Sequence, residues 1–250
     1  MKEIIHTFSS VEKLADSFAG GIAERIAGIA SDPFYYIALS GGSTPKAIFK
    51  SIAENFKDKI DWSRVMFFWG DERCVAPSSD ESNYKMAYEN LFININIPVS
   101  NIYRIEAERD PEREAERYAE IVKSSLPHKN NVPQFDMVML GLGEDGHTAS
   151  IFPDNIRLFN SGKLFEISRH PVTRQIRITA TGKLINNAKQ VCFLVTGASK
   201  ADRTAQILQK KPGWQDLPAS LVKPADGDLI WMLDNPAAKM IIEEAGNFRG

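Results

Sequence analysis

The stretch Phe135-Asp136-Met137-Val138-Met139-Leu140-Gly141-Leu142-Gly143-Glu144-Asp145-Gly146-His147-Thr148-Ala149-Ser150 decides how this chain is read. Its first six residues form a largely apolar run whose length suits a buried strand. Glycines follow, then an acid and a histidine, then small residues able to start a helix. In α/β proteins this order presents a reactive group at the carboxyl edge of a sheet. Glycine tolerates unusual φ values and lets a ligand approach the backbone. Histidine is the side chain whose ordinary titration suits proton transfer near neutrality. Chemistry is therefore expected at 141–150.

The same alternation recurs on both sides of this stretch. Ser9 and Glu12 read as a capping box ahead of apolar residues at helical spacing, predicting a helix over 10–30. The run 34–39 is rich in β-formers and ends in Ser40-Gly41-Gly42-Ser43-Thr44, with Pro45 opening a helix through about 57. Strands are predicted at 65–69, 101–105, 175–180, 191–196 and 229–233. Helices are predicted over 83–92, from Pro111, over 199–210 and from Pro236, and 70–82 reads as a loop. Short apolar strands alternating with helices imply a doubly wound α/β fold, its largely parallel sheet carrying helices on both faces. The segment 152–175 is the least regular and reads as a small excursion. No linker, repeat or low-complexity tract divides the chain, so one domain over 1–250 is expected.

Composition is that of an ordinary globular protein, 43% hydrophobic and 25% charged. A net charge of -2 gives no global attraction to nucleic acid or a membrane surface, so an anionic substrate must be held by local cations. The two cysteines, Cys74 and Cys192, offer neither a disulfide framework nor metal-ligand spacing, as in a reducing compartment. The N-terminus lacks the apolar core of a signal peptide, and no stretch approaches the roughly 20 apolar residues of a spanning helix. A cytoplasmic protein is expected.

Four motifs follow predicted strand ends, where this fold gathers ligand-binding loops. Ser40-Gly41-Gly42-Ser43-Thr44-Pro45 places backbone amides and hydroxyls at a helix start, which suits a phosphate and equally suits a plain cap. It lacks the spacing and Lys-Ser/Thr pair of a Walker loop. In Gly70-Asp71-Glu72-Arg73, Arg73 could grip phosphate and Asp71 could orient a base or touch substrate; a solvated ion pair is the plainer alternative. His147 has glycine neighbours and a strand behind it, which His6, His128 and His170 lack. In Thr196-Gly197-Ala198-Ser199-Lys200, a lysine in a first helical turn opposes the helix dipole unless an anion sits there. Gly141 to Gly146 formally match a dinucleotide fingerprint, but the motif lies mid-chain and runs directly into the histidine. Neither a nucleophile elbow nor a metal-type ligand cluster is present. What remains is cofactor-free acid/base chemistry on a small phosphorylated molecule.

These residues resemble the 6-phosphogluconolactonase family. The resemblance covers 39–45, 69–73 with 82–83, 141–153, 177–179, 196–200, 217–220 and 231–234 with 237–238. Its most specific element is Gly-x-Gly-x-Asp-Gly-His-Thr-Ala-Ser-x-Phe-Pro; the related glucosamine-6-phosphate deaminases share Asp-Gly-His but continue Ile-Ala-Phe-Asn-Glu-Pro. The resemblance implies a fold shared with sugar-phosphate isomerases and CoA transferases. It implies hydrolysis of 6-phospho-D-glucono-1,5-lactone, the second step of the oxidative pentose phosphate pathway, with no metal or other cofactor. On it, His147 is the general base and Asp71 helps orient or polarise the site. Gly41, Gly42, Ser43, Thr44, Arg73 and Lys200 bind the substrate and its phosphate, and Arg177 lines the site near the developing oxyanion. The implied partner is a small sugar-phosphate lactone, without nucleic acid or membrane, acting on a monomer or weak homo-oligomer. Asp154 stands where glycine commonly follows Phe-Pro, Ala76 adds a residue before Pro77, and 170–174 lacks the usual proline-rich lead, leaving Arg174 and Arg177 as rivals for the substrate. An aminosugar-6-phosphate deaminase/isomerase and a non-catalytic sugar-phosphate sensor are the competing readings. The Thr148-Ala149-Ser150 continuation argues against the first, and the absence of a helix-turn-helix before the first strand argues against the second.

Overall fold

The computed structural model describes residues 2–28 and 34–247. Its strands are β1 (Lys2–Phe8), β2 (Tyr35–Leu39), β3 (Val65–Trp69), β4 (Asp71–Arg73), β5 (His128–Lys129), β6 (Val132–Pro133), β7 (Met137–Leu140), β8 (Phe165–Arg169), β9 (Ile176–Ala180), β10 (Gln190–Val195) and β11 (Asp228–Asp234). The helices are α1 (Val11–Ala27), α2 (Ser43–Ser51), α3 (Asn83–Asn90), α4 (Pro111–Ser125), α5 (Gly182–Ile185), α6 (Ala201–Leu208) and α7 (Asn235–Asn247).

Every residue of β2, β7 and β10 is buried. That happens only when both faces of a sheet are covered, and it is why these strands read as unbroken apolar runs. They lie inside a six-stranded sheet of order β1-β11-β10-β7-β2-β3, in which all pairings are parallel. From the adjacent pair β2 and β7 the chain winds outward in opposite directions, to β3 on one side and to β10 and β11 on the other. The crevice above that reversal is where open parallel sheets bind ligands.

Several expectations are corrected. The strand expected at 175–180 forms as β9, but it belongs to a separate three-stranded antiparallel sheet of order β4-β9-β8. Periodicity tells that a segment is a strand and cannot tell which sheet receives it. No strand forms at 101–105: a 3-10 turn ends at Asn101 and a single bridge joins Ile102 to Phe67. The excursion at 152–175 is less irregular than expected. It holds a kinked 3-10 segment, Pro153–Asn160, followed by β8. The loop at 70–82 begins with β4. Helix α1 is capped by Ser10, whose hydroxyl accepts from the Lys13 amide, one residue later than the expected box. The expected last residues of that helix, 29 and 30, lie outside the described residues. Pro45 sits in the third helical position of α2, where the missing N–H is still one that the helix leaves unpaired. The helical run beyond Ser51 continues as a π turn, Ile52–Phe56. Strand β1, unexpected from sequence, is a mostly exposed edge strand without the alternation that betrays half-buried strands. No described helix is long and apolar enough to cross a membrane.

Candidate active site

Loops leaving the carboxyl ends of β2, β3, β7 and β10 meet above the reversal point and enclose a cleft of about 190 Å³. Gly41, Gly42, Asp71, Arg73, His147, Arg177 and Lys200 all line it. The sequence scattered these residues over more than a hundred positions, and the parallel sheet delivers them to one rim.

After β2, Gly42 adopts φ +109°, a conformation that side chains rarely allow. The N-terminus of α2 beyond it carries no side-chain cap, which leaves amide donors facing outward for an anion. Ser43 is exposed beside this turn. Thr44 is buried, and its hydroxyl bonds the Thr196 hydroxyl at 2.6 Å, lashing the β2 loop to the β10 loop. Thr44 thus ties two loops together and does not line the cleft.

After β3, the three charges of Asp71-Glu72-Arg73 separate into different environments. Glu72 is 3% exposed, and its carboxylate accepts from the amides of Arg73, Asn83 and Tyr84 at 2.8 Å and from the Ser82 hydroxyl at 3.1 Å. Burial pushes its carboxyl up while the backbone amides pull it back. This clasp fastens β4 to the start of α3 and so places Arg73 and Asn83 at the cleft. Asp71 is buried, accepts from the Ser150 hydroxyl at 2.7 Å, and through its backbone carbonyl holds the Asn83 amide at 2.9 Å. Arg73 stands directly across from Arg177 in the antiparallel ladder. Each of the two guanidinium groups has a buried Nε without a hydrogen-bond partner among the described residues. Burial and the charge of Arg73 pull Arg177 below its ordinary value. Two facing cations with spare donors are an anion site by elementary electrostatics. Arg174 is exposed, so Arg177 is the arginine that faces the cleft.

After β7, Asp145 turns back on the chain: one carboxylate oxygen accepts from the His147 backbone amide at 3.0 Å and lies 2.6 Å from His147 Nδ1. Burial raises the Asp145 carboxyl, but the bond and charge of His147 and the backbone amides outweigh it and hold the group at about 2. An ionised Asp145 accepting at Nδ1 makes that nitrogen the protonated one and leaves the Nε2 lone pair open. A Cβ on Gly143 would lie 2.1 Å from His147 Nδ1, so only glycine lets the pair close this tightly. Asp71, expected to orient the base, is bonded elsewhere; the acid on the imidazole is Asp145. Its signal was local, since an aspartate two residues before a histidine readily bonds that residue's amide. After β10, Lys200 lies at the start of α6, its Nζ 3.8 Å from Glu144.

A larger groove of about 370 Å³ lies between α4 and β8, but its Lys123 and Lys183 are bonded to Glu120 and the Gly162 carbonyl. Among the described residues, no group of three or more His, Cys, Asp or Glu is placed to hold a metal ion.

An imidazole base oriented by a carboxylate, facing cations and open amides over a parallel sheet, defines a class of enzyme that works on small phosphorylated molecules. Residues 9–231 match the family described as glucosamine-6-phosphate isomerases/6-phosphogluconolactonase, and the chain belongs to that family. A 6-phosphogluconolactonase of Haemophilus influenzae is 42% identical over 207 residues, covering 82% of this chain and 87% of that protein. Among solved structures, a devB protein superposes with a TM-score of 0.89 at 38% identity, covering 96% of this chain and 99% of its own. The 6-phosphogluconolactonase of Trypanosoma brucei superposes with a TM-score of 0.82 at 30% identity, over 96% of this chain and 99% of that one.

Proposed function

We propose that this cleft binds 6-phospho-D-glucono-1,5-lactone and hydrolyses it to 6-phospho-D-gluconate, with His147 as general base. The chain is an enzyme, a 6-phosphogluconolactonase. The observation that carries the mechanism is the Asp145–His147 pair standing in one cleft with Arg73, Arg177 and Lys200. Ionised Asp145 keeps the proton on Nδ1, so Nε2 removes a proton from water as the water oxygen attacks C1 of the lactone. Negative charge develops on the former carbonyl oxygen, where the Arg177 guanidinium stabilises it. Collapse breaks the bond from C1 to the ring oxygen, and the imidazolium returns its proton to that oxygen, leaving an open-chain acid. Arg73, Lys200 and the amides after Gly42 hold the phosphate, and Asp71 sets the Ser150–Arg177 side of the pocket. A lactone is an activated ester, so orientation and one base suffice without a metal. On this reading the enzyme serves the second step of the oxidative pentose phosphate pathway.

Purified enzyme is expected to consume freshly prepared lactone faster than the spontaneous reaction, with chelator present, and to release no ammonia from glucosamine 6-phosphate. Ammonia release with an untouched lactone would instead identify an aminosugar-phosphate deaminase. Arg73→Ala and Lys200→Ala are each expected to raise KM about tenfold or more with a smaller change in kcat, because a charge-assisted phosphate contact is made in ground and transition states alike. Steady-state kinetics check this; a fall in kcat at constant KM would move these side chains from the phosphate to the reacting carbonyl.

A further inference from the structure

Phe152 has no exposed surface, yet three groups of the site's wall rest on its ring. The His147 imidazole lies with its centroid 4.6 Å away, the Arg177 guanidinium sits over the ring at 5.6 Å, and the His170 imidazole meets it edge-on at 5.1 Å and 66°. Phe152 is itself pinned: its amide donates to Asn155 Oδ1 at 2.7 Å, and the Asn155 amide donates to the Ser168 hydroxyl on β8 at 3.0 Å.

We propose that Phe152 is the positioning residue of this site, one buried ring that holds the base and the anion-binding arginine at once, with His170 as its outer brace. The inference rests on the roles given above to His147 and Arg177. Arg177 needs such a support. It faces Arg73 across the ladder, its Nε is unpartnered, and its one hydrogen bond here is a long 3.4 Å contact to the Ser150 hydroxyl. A carboxylate partner would hold it but would quench its charge and compete with an incoming anion. The face of an aromatic ring attracts a cation while leaving the guanidinium N–H donors free. His147 is fixed at Nδ1 by Asp145, and the ring of Phe152 limits its swing about that bond. His170 is anchored by the amides of Val172 and Thr173, both donating to its Nδ1 at 3.2 Å. Burial and the positive charges of Arg177 and His147 pull its titration down, with Asp145 opposing and Arg73 adding to the effect, so the brace stays neutral beside Arg177.

Phe152→Leu keeps apolar bulk and removes the aromatic face. It is expected to weaken binding of inorganic phosphate by about tenfold in calorimetry, the loss of a desolvated cation–π contact. It is also expected to shift the His147 ring signals in proton–nitrogen spectra and to lower kcat about fivefold. Unchanged phosphate binding and ring signals, with only a lower melting temperature, would overturn the proposal. Should Phe152→Leu fail to fold, the half-buried His170 decides. His170→Ala is expected to lower kcat about threefold and weaken phosphate binding at an unchanged melting temperature, with His170→Phe restoring both; no change in either overturns it. The phosphate and spectroscopic readouts need no turnover, so a wild-type enzyme inactive on the lactone would refute the proposed function and leave this inference separately decided.

Discussion

Replacing His147 by alanine is expected to lower kcat by about 10²–10⁴-fold, with KM and melting temperature nearly unchanged. The imidazole is the one group in the cleft whose Nε2 is left open as a proton acceptor by its own hydrogen bonding. Its removal costs the fold little, because its side chain is 28% exposed and its backbone amide keeps the bond to Asp145. The cations and amides that hold the phosphate survive, so the variant still gathers substrate and fails at activating water. Stopped-flow rates on fresh lactone, beside a thermal melt, test this. A variant that loses only two- or threefold would assign water activation to another group, with Asp71 the next to examine.

Glu72→Ala is expected to be the most damaging single change to stability near the site. Its carboxylate collects three backbone amides and a hydroxyl inside the protein. Each buried donor stripped of its acceptor costs roughly 1–3 kcal/mol, and breaking a buried charged network by one partner typically costs about 3–5 kcal/mol. For a chain of this size the melting temperature should fall by about 10 °C. Activity should fall further than stability alone explains, since β4 and the start of α3 carry Arg73 and Asn83. A melting temperature within about 2 °C of wild type would mean that solvent takes over the acceptor role and that the clasp is dispensable.

The parallel sheet and the four strand-end motifs were legible because full burial on both faces leaves unbroken apolar runs such as 35–39 and 137–140. Positions closing those runs inherit the cleft, so Gly42, Arg73, His147 and Lys200 could be named from order alone. Residues acting through tertiary partners were less visible. Glu72 read as one of three loop charges, and only the fold reveals that it faces the amides of α3. Phe152 read as part of a motif, and its neighbours Arg177 and His170 arrive from the β8–β9 hairpin, whose pairing no local pattern announces. Strand β1 escaped notice because an edge strand open to solvent carries little amphipathic signature.

The order of the central sheet also bears on how the molecule is made. Strand β1 emerges from the ribosome before every other strand, yet its sole neighbour in the sheet is β11, which is synthesised more than two hundred residues later. Pairing across that separation is slow, and an unsatisfied edge invites the wrong companion meanwhile. The nascent polypeptide must therefore shelter its leading segment until translation is almost finished, and co-translational helpers should matter more to its yield than its final stability suggests.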